Sequence, residues 1–184
     1  LKKVIGITGT PATGKRSVGK ELAKILNFSL IHINEAAREA NAIDDSGEVS
    51  IRKLRKRLKE ILKDKKAVVI GHLLPYVLKR SEVDLVIVLR CHPNELERRL
   101  IQRGYSNKKV KENVASEILD LILYDCIKKF GKEKVCEIDT TYLTPTSVAK
   151  QIFEILQGKR EKKIGIADWL SLAEKDKELL RFLH

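Results

Sequence analysis

The stretch GTPATGK, residues 9–15, has the residue types and spacing for holding phosphate. It satisfies the G-x-x-x-x-G-K pattern, with an apolar run ahead of it and a helical pattern behind it. That context supplies the chemistry. A glycine-rich turn lets successive backbone N–H groups face phosphate oxygens, and the helix start adds partial positive charge. Lys15 adds a full charge for the terminal phosphates. The candidate triphosphate site is therefore Gly9, Ala12, Thr13, Gly14, Lys15, Arg16 and Ser17. Arg16 departs from the usual pattern, because it occupies the position where a Ser or Thr hydroxyl commonly binds Mg²⁺, and a guanidinium cannot ligate a cation. A guanidinium is too bulky for a loop already holding Lys15 and a triphosphate. The expectation is that Arg16 points away and Ser17, one residue on, faces the phosphates as the candidate metal ligand.

The elements that must position this loop follow from periodicity. Strands are expected at Lys3–Ile7, Phe28–Ile33, Ala67–Gly71, Asp84–Arg90 and Lys134–Asp139. Helices are expected over Lys15–Leu26 and over Ile51–Lys63, where Ile51, Leu54, Leu58, Ile61 and Leu62 recur at helical spacing. A further helix starts at Pro93. One long helix should run from Ser106, its N-cap, to a stop at Gly131, and another from Pro145 to near Gly158. Strands alternating with helices, several of them continuously apolar, imply an α/β fold of three layers, with a five-stranded parallel sheet covered on both faces. GKREKK, residues 158–163, reads as an exposed linker. Beyond it, Trp169, Leu172, Ala173, Leu179, Leu180 and Leu183 form one stripe of a last helix, for docking on the domain or on a partner.

At 184 residues the chain suits one domain. No apolar run approaches the roughly 18 residues of a membrane span, and the opening LKKVIGITG is not patterned as a secretory signal. Cys91, Cys126 and Cys136 show no metal-binding or disulfide spacing, and read as idle thiols of a reducing, cytoplasmic compartment. A net charge of +12 favours polyanionic partners, though lysine-rich surfaces of heat-adapted proteins are another source. Much of it sits at Arg52, Lys53, Arg55, Lys56, Arg57, Lys59, Lys63, Lys65 and Lys66. With no aromatics interleaved, contact there would be with phosphates; a solubilising face is the alternative.

The segments GITGTPATGK, EAARE, GHLLP, DLVIVLR, ERRLIQRGYSNKKVKENVASEIL and IDTTYLTP occur in the order seen in the archaeal and nuclear adenylate kinase-like proteins. From residue 3 to about 157 the chain resembles that family. The resemblance implies a P-loop kinase domain over residues 1–158, with an acceptor-binding insert at about 34–50 and a lid at about 103–112. It implies ATP and AMP as substrates with Mg²⁺, and a role in small ribosomal subunit assembly beside a ribosomal protein, with ribosomal RNA a further partner. Arg38 would hold the acceptor phosphate, and Arg103 would close on the transferred group. His72 would match the histidine of an Asp-x-His motif, and Thr140, Thr141 and Thr144 would lie at the adenine end. The aspartate of Asp-x-His is replaced by Ile70, which with Arg16 weakens metal-assisted hydrolysis. Asp44, Asp45 and Glu48 should face solvent, where a basic partner protein could meet them. The expected activity is an adenylate kinase-type phosphotransfer from ATP to AMP, with ATPase activity beside it; the alternatives are a nucleotide-binding assembly scaffold with little catalysis and a kinase of another small nucleotide.

Overall fold

A computed structural model describes residues 3–184; the first two positions of the expected 1–158 domain lie outside the described residues. Five strands form one parallel sheet: β1 (Val4–Gly9), β2 (Ser29–His32), β3 (Ala67–Ile70), β4 (Leu85–Arg90) and β5 (Val135–Asp139), in the order β2-β3-β1-β4-β5. Every residue of β1, β3 and β4 is buried, which is why these runs, Thr8 and Arg90 apart, carry no polar residues and do not alternate. One sheet face carries Val4, Val69, Val86 and Val88; the other carries Ile5, Ile7, Ile70, Ile87 and Leu89. β1 sits where the strand order reverses direction, so the loop leaving its C-terminal end opens into the crevice that such sheets use for ligands.

Helix α1 (Lys15–Leu26) buries Val18, Leu22 and Ala23 and ends at Asn27, which adopts the left-handed conformation tolerated by asparagine. α2 (Ile33–Glu39) begins at the very end of β2 and buries Ile33, Ala36 and Ala37; the sequence reading placed Ile33 in the strand and gave this segment no helix. α3 (Ile51–Ile61) buries only Leu54 and Leu58 and turns its basic face to solvent. The short α4 (Leu74–Val77) follows β3, and α5 (Pro93–Gln102) follows β4.

The expected long helix is two. α6 (Asn107–Ile118) is capped by Ser106, whose Oγ accepts from Lys109 N at 3.4 Å, and α7 (Leu121–Phe130) follows a break at Asp120 with φ 55°. The break has a packing cause. Val110, Val114 and Ile118 belong to a cluster with Leu96 and Leu100 of α5, whereas Leu123, Cys126 and Phe130 pack beneath the sheet. A single straight helix cannot aim one stripe at both. α8 (Pro145–Leu156) is capped by Thr144 Oγ1, which accepts from Ser147 N at 3.2 Å.

The last helix also divides, into α9 (Trp169–Lys175) and α10 (Lys177–Leu180). Asp176 ends the first in an extended conformation and caps the second by accepting from Glu178 N at 2.9 Å. Ala173 and Leu179 are fully buried, and Phe182, which was not read as part of the stripe, is buried with them. They pack against α5, α6 and Ala12 of the glycine loop. Upstream, Lys163 O accepts from Glu137 N at 2.8 Å, so the chain covers the edge of β5 on its way.

Candidate active site

The glycine loop takes the backbone shape that phosphate binding requires. Gly9 has φ 142°, and a Cβ there would lie 2.5 Å from Leu89 O; Gly14 has φ 101° and stands at the N-cap of α1. No side chain caps that helix, so its first N–H groups are free to face a ligand. Ala12 also has positive φ, at 69°. The Thr13 hydroxyl donates to Thr10 O at 2.8 Å, tightening the turn. Lys15 Nζ folds back onto Gly9 O at 2.7 Å and Thr10 O at 2.8 Å. Loss of hydration lowers its pKa from 10.5 to about 7, helped by the Arg103 charge and opposed by Glu117. The negative charge of an anionic ligand would offset both depressing effects.

The loop forms one wall of a cleft of about 440 Å³, which Lys15, Arg16, Ser17, Arg38, His72 and Arg103 line together. His32, Asn34 and Glu35, at the junction of β2 and α2, complete the opposite wall with Arg38. The side chains of Arg38 and Arg103 make no hydrogen bond or ion pair among the described residues, so two guanidinium charges face the cleft uncompensated. His72 follows Gly71 past the end of β3; reduced hydration and then the Lys15 charge lower its pKa, which leaves it neutral at pH 7. Arg16 turns away from the loop and donates from Nη2 to Glu35 Oε1 at 2.9 Å. Arg98 and Arg99 are occupied elsewhere: both bond Glu95, and Arg99 also donates to Thr140 O and Thr141 O.

The three threonines proposed for the adenine end hold structure with their hydroxyls. Thr140 Oγ1 donates to Thr13 O at 2.9 Å, tying the segment after β5 to the glycine loop. Thr141 Oγ1 bonds the Asp139 carboxylate and accepts from His92 N, and Thr144 caps α8. Their side chains are not in the cleft wall, whereas Tyr142 beside them is 94% exposed. Asp44, Asp45 and Glu48 are exposed. Asp44 accepts from Ser46 Oγ and from the Ser46 and Glu48 amides, and the Ser46 bond leads in lowering its pKa.

Sequence reasoning missed the buried charge cluster behind the loop. Arg90, at the end of β4 and 1% exposed, bonds Glu117, Glu137 and Asp120. Glu117 also accepts from Thr10 Oγ1 at 2.6 Å, from Cys91 N at 3.2 Å and from Trp169 Nε1 at 3.3 Å. A signal existed: Val110, Val114 and Glu117 share helical spacing, which puts a carboxylate on the buried stripe of α6.

No three His, Cys, Asp or Glu side chains cluster to hold a metal ion among the described residues. Ser17, exposed in the first turn of α1, lines the cleft and fits as a single oxygen ligand for a metal that travels with phosphate. The three cysteines are free and buried, and burial raises their pKa values.

A family model described as an AAA domain matches residues 5–120. A protein of Thermococcus gammatolerans named "Putative adenylate kinase" is 37% identical over 169 residues, which cover 90% of this chain and 92% of that one. The protein of the same name from Pyrococcus furiosus is 35% identical, covering 98% and 97%. The chain belongs to the archaeal adenylate kinase-like family. Among solved structures, shikimate kinase from Aquifex aeolicus superposes with a TM-score of 0.58 at 18% identity, over 84% of this chain and 96% of that one. The YorR protein of Bacillus subtilis, solved with phosphorylated GDP, gives 0.61 at 18% identity, over the same shares. At that identity both show the fold alone: this adenylate kinase-like chain has the architecture of P-loop kinases. No helix of the described residues is long and apolar enough to cross a membrane.

Proposed function

We propose that the protein is a phosphotransferase that moves the terminal phosphoryl group of ATP to AMP, giving two ADP. The observation that carries this reading is the pairing of walls in one cleft: the glycine loop with Lys15 on one side, and the unpartnered Arg38 and Arg103 reaching toward it. A hydrolase needs a group to orient water at the phosphate; here Ile70 stands where a carboxylate would do so. A kinase needs chiefly position and charge.

In this mechanism the free N–H groups of the loop and Lys15 hold the donor phosphates, and Arg38 holds the acceptor phosphate. An acceptor oxygen forms the new bond to the terminal phosphorus as the bond to the bridging oxygen breaks, so no proton need be abstracted from the acceptor dianion. Arg103 neutralises the equatorial oxygens in transit. His72, neutral, orients a phosphate oxygen by hydrogen bonding. Ser17 would hold a Mg²⁺ ion arriving with the triphosphate, and that ion would supply further charge neutralisation. The segment 139–144 and Tyr142 would flank the adenine of ATP.

The test is kinetic. Arg103→Ala should lower kcat at least about 100-fold with a smaller change in KM for ATP, since it acts on charge that develops in transit. Arg38→Ala should chiefly raise KM for AMP. Equal, small effects on both constants would refute these roles.

A second reading concerns the α3 face. Arg52, Lys56, Lys59, Lys63, Lys65 and Lys66 are exposed and have no acidic partner among the described residues. With the family resemblance this supports docking on the phosphates of ribosomal RNA. Reversing Lys56, Lys59 and Lys63 to Glu should abolish salt-sensitive binding to small-subunit components while leaving nucleotide turnover intact.

A further inference from the structure

Arg16 occupies the position from which P-loop proteins commonly reach a metal, yet its guanidinium lies across the cleft on Glu35 of α2, 2.9 Å away. Arg38 stands one turn further along the same helix without a partner, and both arginines line the cleft. The donor loop and the acceptor wall are thus bridged by a cation tethered to the former and a carboxylate tethered to the latter. His32 Nδ1 lies 3.9 Å from the same Glu35 oxygen.

We propose that Arg16 is a second ligand for the phosphate of the acceptor nucleotide, and that Glu35 holds it in readiness until that phosphate displaces the carboxylate. The proposal rests on the acceptor reading given above. Its physics is a competition. Arg16 is 76% exposed and Glu35 50%, so water screens their attraction and the pair contributes little. A phosphate monoester carries up to two charges and three oxygens, matches the guanidinium fork bidentately, and would meet Arg38 at the same time. Glu35 alone offers one charge. The pair therefore orders the Arg16 side chain over the acceptor wall without competing strongly against the ligand. Arginine in this place also makes structural sense of the lost hydroxyl: a position that elsewhere serves the donor metal serves the acceptor here.

Calorimetric titrations with AMP and, separately, with ATP test it on Arg16→Ala, Glu35→Gln and the double variant. Both side chains are exposed, so folding should survive, which circular dichroism checks. Arg16→Ala should weaken AMP binding about tenfold or more, while ATP affinity changes less than about threefold. Glu35→Gln should tighten AMP binding about two- to fivefold by releasing Arg16, and that gain should vanish in the double variant. Unchanged AMP affinity in Arg16→Ala, or equal losses for ATP and AMP, would overturn the role of Arg16 while leaving the acceptor site standing. A wild-type protein that binds ATP but not AMP would overturn the acceptor reading and this inference together.

Discussion

In the proposed mechanism the phosphate chemistry turns on Lys15, and its surroundings make it a titrating group. In the free protein its pKa is lowered to about 7 by loss of hydration, then by Arg103. Phosphates replace those influences with negative charge, so the bound ammonium regains a high pKa. Below pH 7 the lysine is already charged and binding takes up no proton there; above it, binding must draw one in. ATP affinity should therefore fall as pH rises, by about 25-fold between about pH 6.5 and 8.5. Titrations across that range in wild type and Lys15→Ala check this: the variant should bind weakly and without the slope. This residue was legible in the sequence because glycines and a lysine at fixed spacing have few other uses. The hydroxyl bonds of Thr140 and Thr141 were not. A threonine after a strand looks alike whether its hydroxyl meets a ligand or, as Thr140 does, ties the segment to Thr13 O.

At the scale of elements, the charge cluster on Arg90 joins β4, β5, α6 and α7 behind the loop. Burial opposes its charge, but Glu117, Asp120 and Glu137 outweigh that and hold the pKa above its ordinary value. Removing the guanidinium would strand three carboxylates, two of them buried, so Arg90→Ala should cost about 3–5 kcal/mol in chemical denaturation. A loss under about 1 kcal/mol would mean the cluster is hydrated. Glu117→Gln, which keeps the shape, should cost less yet still weaken ATP binding, because Thr10 and the Lys15 charge both lean on that carboxylate. The alternation of strands and helices was readable from apolar spacing. The break at Asp120 was not, because the stripe continues through it and only the need to serve two clusters turns the chain. The short α2 escaped for a related reason: Ala36 and Ala37 bury little surface and leave a weak apolar signal.

For the whole molecule, the segment after the linker is part of the domain's packing. Leu179 is fully buried in the cluster that also holds Ala12. Leu179→Ala should cost about 2–5 kcal/mol, which lowers the melting temperature by about 5–15 °C; no change in a thermal scan would mean this segment is detached in solution. The stripe was visible in the sequence, but its destination required the fold, since nothing in Trp169 or Leu179 names α5 and α6 as the surface they meet. The cleft has the same character: Arg38 and Arg103 lie 65 positions apart, and the sheet brings both to the glycine loop. That convergence is the ground for reading the protein as a kinase. The direct test is to incubate it with ATP and Mg²⁺, with and without AMP, and to separate ADP from free phosphate. Two ADP should form for each AMP consumed, with no phosphate above background without AMP. Phosphate released from ATP alone, or no ADP when AMP is present, would contradict the kinase reading.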